Sequence, residues 1–104
     1  MYTLVWTAHF TRAARKFAKR HPELKKKVAL ILRDLEKDPF QPQLDYHHLG
    51  GKQTGVQAVG ITDSYRITMT AIITKKEIIL LDIGSHDEVY KNEAMSIAWP
   101  QEAM

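Results

Sequence analysis

Between Tyr65 and Thr74 the residues alternate in character, with Tyr65, Ile67, Met69, Ala71 and Ile73 on one side and Arg66, Thr68, Thr70, Ile72 and Thr74 on the other. Successive side chains of an extended chain point to opposite faces. The run therefore reads as a strand with one face on a core and the other turned away from it, and Arg66 belongs to the second. Whatever fold forms must cover the first face with apolar surface. Two upstream segments supply it: Phe10, Ala13, Ala14, Phe17 and Ala18 recur at helical spacing, and Leu24, Val28, Ile31, Leu32 and Leu35 make a second stripe. Thr7 stands where a helix cap is needed, Pro22 suits the first turn of the second helix, and Asp38-Pro39 ends it.

The other segments complete an α+β pattern. Tyr2 to Trp6 and Val56 to Ile61 read as strands, and Thr62-Asp63-Ser64 as a turn. After the polar break Lys75-Lys76-Glu77, the run Ile78 to Leu81 with Ile83 reads as a buried strand that Gly84 ends. Gln41 to Gly55, rich in Pro, Gly, His and Gln, reads as loop and strand entry. Ser85 and Glu88 match a capping box, so a helix begins there; the tail through Trp99-Pro100 carries no assignment. The expectation is one domain over residues 1–104: a two-helix hairpin on one face of a four-stranded, largely antiparallel sheet, with a short C-terminal helix. A chain of 104 residues closes one core, not two.

The sequence has no cysteine, which excludes a disulfide scaffold and thiolate metal sites, and it has no apolar run near the roughly 18 residues a membrane helix needs. No secretory leader is recognisable at the start, so a cytoplasmic location is expected. The net charge is only +3, yet ten of the fifteen Lys and Arg lie between Arg12 and Lys37. Such a field attracts phosphate, although a solvated helix face has the same composition.

The order of these elements, with Asp38-Pro-Phe, His48-Leu-Gly-Gly-Lys52, Tyr65-Arg66-Ile67 and Asp82-Ile-Gly-Ser-His-Asp-Glu-Val-Tyr90, resembles the RelE/ParE toxin superfamily over nearly the whole chain. The local match is closest to its RelE- and YafQ-like mRNA interferases. The resemblance implies a toxin of a type II toxin–antitoxin system that cuts mRNA, commonly on the ribosome, without a metal or other cofactor. In such toxins a ribose 2′-OH attacks the adjacent phosphate. That chemistry needs a base for the 2′-OH proton, an acid for the leaving oxygen and a cation for the phosphate charge.

The resemblance carries roles to particular residues. His86 falls on a catalytic histidine, Tyr90 on an aromatic residue that orients RNA, and Arg66 on a phosphate-stabilising arginine. His47 aligns with a loop histidine, with His48 beside it as the alternative and an RNA contact, and Lys52 matches a basic position on the RNA backbone. Gly60 and Ser64 stand where YafQ-like enzymes carry a second histidine and an aspartate, and Gln57 stands near a RelE arginine. The implied partners are a cognate antitoxin and mRNA. Two other readings stay open on the same fold: a gyrase-binding, ParE-like toxin without nuclease activity, and a weakened relic that binds its antitoxin. Taken singly, His86 is equally a cap, His47-His48 a surface pair, Tyr90 a core residue, and Arg66 a partner for Asp82 or Asp63.

Overall fold

A computed structural model describes residues 1–89, save the side chain of Lys52. Strand β1 (Thr3–Trp6) turns at Thr7 into helix α1 (Ala8–Arg20). The Thr7 hydroxyl accepts from the Phe10 amide at 3.0 Å and donates to the Leu80 carbonyl at 2.8 Å. One side chain thus caps the helix and fastens it to the sheet. A single 3-10 turn, Pro22–Leu24, leads into α2 (Lys25–Lys37). The chain leaves α2 at Asp38, whose carboxylate takes the Phe40 amide at 2.9 Å around Pro39.

Four strands follow: β2 (His47–His48), β3 (Gln57–Gly60), β4 (Tyr65–Ile72) and β5 (Glu77–Ser85). The sheet order is β1-β5-β4-β3-β2, with β1 parallel to β5 and the other neighbours antiparallel. The expected four strands are therefore five. The extra one, β2, is two residues long, too short for an alternating pattern to mark it as a separate strand in a segment that reads as loop and strand entry. β4 also stops before Thr74, because Ile73–Lys75 folds into a 3-10 turn that Lys76 closes at φ 52. Nor does Gly84 end β5: it pairs with Arg66 inside the strand. A β-carbon there would meet Glu88 Oε1 at 3.2 Å, so the glycine makes room for Glu88 rather than breaking the strand.

Phe10 and Phe17 of α1, Ile31 and Leu35 of α2, and Val59, Ile67, Met69, Ile78, Leu80 and Ile83 form one core. Both helices therefore lie on the sheet face that carries Ile67 and Met69, as the alternation predicts. The far face is not bare. Leu49 and Val56, at the two ends of the β2–β3 loop, pack with Ala58 and Leu81 into a smaller apolar cluster. The loop turns back through Gly51 at φ 65 and Gly55 at φ 91, conformations that favour glycine. Thr68 pairs with Asp82 but Met69 with Leu80, so Leu81 is an extra residue that bulges β5. Among the described residues no helix is long and apolar enough to cross a membrane.

Residues 86–89 form a helical turn after β5. The Glu88 amide donates to the Ser85 hydroxyl at 3.1 Å, and the Ser85 amide donates to Glu88 Oε1 at 3.0 Å. That is the reciprocal cap the sequence predicts. The Ser85 amide is also the main reason the Glu88 carboxyl is held below its ordinary range, against the opposing cost of burial and with the Ser85 hydroxyl, Arg20 and His21 adding to the effect.

Candidate functional site

Residues paired across neighbouring strands share a face. His47 pairs with Ala58, Ala58 with Thr68, and Arg66 with both Gly60 and Gly84. The sheet thus gathers His47 and Arg66 on the face away from the helices. From strand spacing and rise, their Cα atoms lie about 12 Å apart. Arg66 stands between two glycines, Gly60 and Gly84, one on each adjoining strand, so its directly paired neighbours carry no side chain.

His86 starts the helical turn after β5, and its amide donates to the Ser64 carbonyl at 3.3 Å, two residues before Arg66. Its Nδ1 is 3.8 Å from the Asp87 carboxylate, an exposed and therefore screened pair. In sheet order His47 belongs to β2 and Arg66 to β4, and His86 follows the end of β5, so the Arg66 backbone lies between the other two.

His47 also has a defined hydrogen bond. Its Nδ1 lies 2.8 Å from the Asp45 carbonyl oxygen. A carbonyl only accepts, so Nδ1 carries the proton and the neutral ring leaves a lone pair on Nε2. Asp45 holds that carbonyl in place from the left-handed region, at φ 52. His48, paired with Gln57, turns to the opposite face. There its ring meets Tyr46 edge-on at 5.7 Å, and its Nδ1 is 3.5 Å from Gln57 Nε2. Burial, with Tyr2 beside it, pushes the Tyr46 hydroxyl above its ordinary pKa. The pleat separates the two adjacent histidines and puts His47, not His48, on the Arg66 face. Lys52 lies in the 3-10 turn Gly51–Gln53 of the β2–β3 loop. Tyr90 lies outside the described residues.

Two features escape a reading of the sequence. Asp82, 3% exposed, accepts from the Ile83 amide at 2.8 Å and lies 3.1 Å from His9 Nε2 on α1. Gln57, 5% exposed, accepts from the Ala71 amide at 2.8 Å, filling a backbone gap beside β4. Both depend on contacts across the fold, and no local spacing announces them. Among the described residues no group of three or more His, Cys, Asp or Glu is placed to hold a metal ion.

No protein-family model matches the chain, and no curated protein sequence matches it. Solved structures do. YafQ from E. coli superposes with a TM-score of 0.73 at 13% identity, covering 86% of this chain and 99% of that one. A copper-bound mutant toxin from Helicobacter pylori superposes with a TM-score of 0.62 at 28% identity, covering 85% and 98%. The RelBE2 toxin–antitoxin complex from Mycobacterium tuberculosis contributes a match at a TM-score of 0.66 and 17% identity, covering 82% and 98%. With these superpositions spanning more than four fifths of its length, the chain carries the fold of the RelE/ParE toxin superfamily, as its sequence resemblance implies.

Proposed function

We propose that this protein is the toxin of a toxin–antitoxin pair and acts as a metal-independent endoribonuclease that cuts mRNA and so stops translation. The observation that carries the reading is that His47 and Arg66 share the sheet face away from the helices, with His86 following the end of the next strand, so that Arg66 lies between the two histidines in sheet order. In-line displacement at phosphorus needs its proton acceptor and its proton donor on opposite sides of the phosphate. The 2′-oxygen bonds to phosphorus and the bond to the 5′-oxygen breaks. One product ends in a 2′,3′-cyclic phosphate and the other begins with a 5′-hydroxyl.

In this reading His47 Nε2, with its lone pair set by the Asp45 carbonyl, takes the 2′-OH proton. Arg66 offsets the charge that gathers on the phosphate, and its planar, permanently charged fork on a rigid strand suits that task. His86 gives a proton to the leaving oxygen. Tyr90 orients the base and Lys52 is the remaining RNA contact, whereas His48, expected to touch RNA, lies on the opposite face against Tyr46 and Gln57 and takes no part. Single-stranded RNA, whose bases stack on aromatic rings, is the substrate. The partner is a cognate antitoxin that covers the site, a reading favoured by the toxin–antitoxin complex among the structural neighbours.

The test is induced expression in bacteria with and without the neighbouring gene product, followed by mapping of transcript ends. Growth arrest with new 5′-hydroxyl ends, relieved by the neighbour and lost in Arg66→Ala, is expected. Arrest with intact transcripts would replace this reading with a toxin that does not cut RNA.

A further inference from the structure

Pairing between β1 and β5 ends at Trp6 and Leu80, yet β5 runs on to Ser85. Over residues 81–85 that edge has no β1 partner, and α1 lies beside it. Between them is a cleft of about 220 Å³, with His9, Arg12, Lys16 and Arg20 on the helix side and Asp82 and Glu88 on the other. Arg12, Lys16 and Arg20 recur every fourth residue, which stacks them along one side of the helix about 6 Å apart. The two carboxylates are already engaged: Asp82 by His9 at 3.1 Å, Glu88 by the Ser85 amide and by Arg20 at 3.6 Å. Among the described residues no ion pair takes up Arg12 or Lys16.

We propose that this cleft binds the backbone phosphates of a single RNA strand where it runs past the Arg66 face, with Arg12 and Lys16 as its principal contacts. The inference rests on the reading that the Arg66 face holds RNA, and the geometry joins the two places. Gly84 lines the cleft and is the cross-strand partner of Arg66, while Glu88 belongs to the turn that His86 begins. A strand leaving Arg66 passes the Glu88 side chain, which covers Gly84 and is held by Arg20 and the Ser85 amide, before it reaches Arg12 and Lys16.

A row of cations favours phosphate, whose neutralisation releases counterions. A docked protein segment would need apolar surface to bury, and the cleft offers little: its aromatic wall, Phe17, is 6% exposed and Ile83 5%. The exposed apolar side chains lie elsewhere in the chain, Met1, Val5, Trp6 and Leu30 among them.

The probe is a fully 2′-O-methylated oligoribonucleotide, which the 2′-OH route cannot cut, titrated against the protein by fluorescence anisotropy at several salt concentrations. Arg12→Gln with Lys16→Gln should lower affinity and flatten the plot of log K against log salt by about 1.4, at roughly 0.7 per lost phosphate contact on a single strand. Lys26→Gln with Lys27→Gln, which removes the same charge from exposed positions of α2, should leave the slope unchanged. If the double cleft variant does not fold, Lys16→Gln alone should flatten the plot by about 0.7. Equal effects of the two double variants would mean diffuse attraction and would overturn the inference. So would an Asp/Glu-rich peptide that binds through Arg12 and Lys16 when the oligonucleotide does not. If the parent cuts transcripts but the cleft variant keeps its slope, the cleft inference alone fails. If the slope falls but no transcript is cut, the cleft stands and the cleavage reading fails.

Discussion

Replacing Thr7 by alanine tests how the helical layer is fixed to the sheet that carries the site. The hydroxyl makes two bonds of different kinds, one from the Phe10 amide and one to the carbonyl of the buried Leu80. Losing a threonine cap costs about 1 kcal/mol. Losing a hydrogen bond whose acceptor stays buried costs about another 1 kcal/mol. The sum, about 2 kcal/mol, is a large share of the roughly 5–15 kcal/mol that holds a domain folded. At roughly 4–8 °C per kcal/mol for a domain near this size, the melting midpoint should fall by about 10 °C. Thr7→Ser keeps both bonds and should stay within about 0.5 kcal/mol of the parent, a change typical of a site whose specific contacts survive. Urea unfolding followed by circular dichroism gives both numbers from the shift in midpoint at constant slope. If Thr7→Ala and Thr7→Ser unfold at the same urea concentration, the hydroxyl does not hold the layers together and the argument is wrong.

Thr68 is fully buried, and among the described residues its hydroxyl has no hydrogen-bond partner; Thr68→Val should stabilise the fold by about 1 kcal/mol in the same urea assay. The low carboxyl pKa of Glu88 makes its cap depend on pH with a fixed sign. A folded value below the unfolded one adds stability that is complete above the ordinary carboxylate range and is lost as pH falls through the lower folded value. The protection factor of the Ser85 amide, which donates to the carboxylate, should therefore fall only on the acid side, and Glu88→Gln should remove that dependence. Nitrogen-resolved NMR of the neutral His47 ring should find the proton on Nδ1, where the Asp45 carbonyl holds it; a ring protonated mainly on Nε2 would remove His47 as a preset base.

The elements that local chemistry specifies were legible in the sequence. Thr7, Asp38-Pro39 and the Ser85/Glu88 pair act over a few residues, and each does in the structure what its side chain suggests. The alternation from Tyr65 likewise places Arg66 away from the helices. What stayed hidden depends on partners distant in the chain. β2 exists because His47 and His48 meet Ala58 and Gln57, and the far-face cover exists because Leu49 and Val56 reach Leu81. Gly84 looked like a strand terminator because its reason, the side chain of Glu88, comes from the next turn. The site shows the same division: residue types at His47, Arg66 and His86 could be read, but not that the pleat would send His48 to the other face or that Asp45 would fix the His47 proton.

The account turns on whether the nucleophile is a ribose hydroxyl acting beside Arg66. Purified protein should be given an oligoribonucleotide that it cuts at one bond, and the same oligonucleotide with hydrogen in place of the single 2′-OH next to that bond. The account predicts a cyclic phosphate and a 5′-hydroxyl from the first and no cut at that bond in the second. With the first substrate, Arg66→Ala should be slower by roughly 10²–10³, the usual cost of removing one preorganised charge-stabilising donor. Cleavage of the 2′-deoxy bond at the parent rate, or an Arg66→Ala protein as fast as the parent, would contradict it.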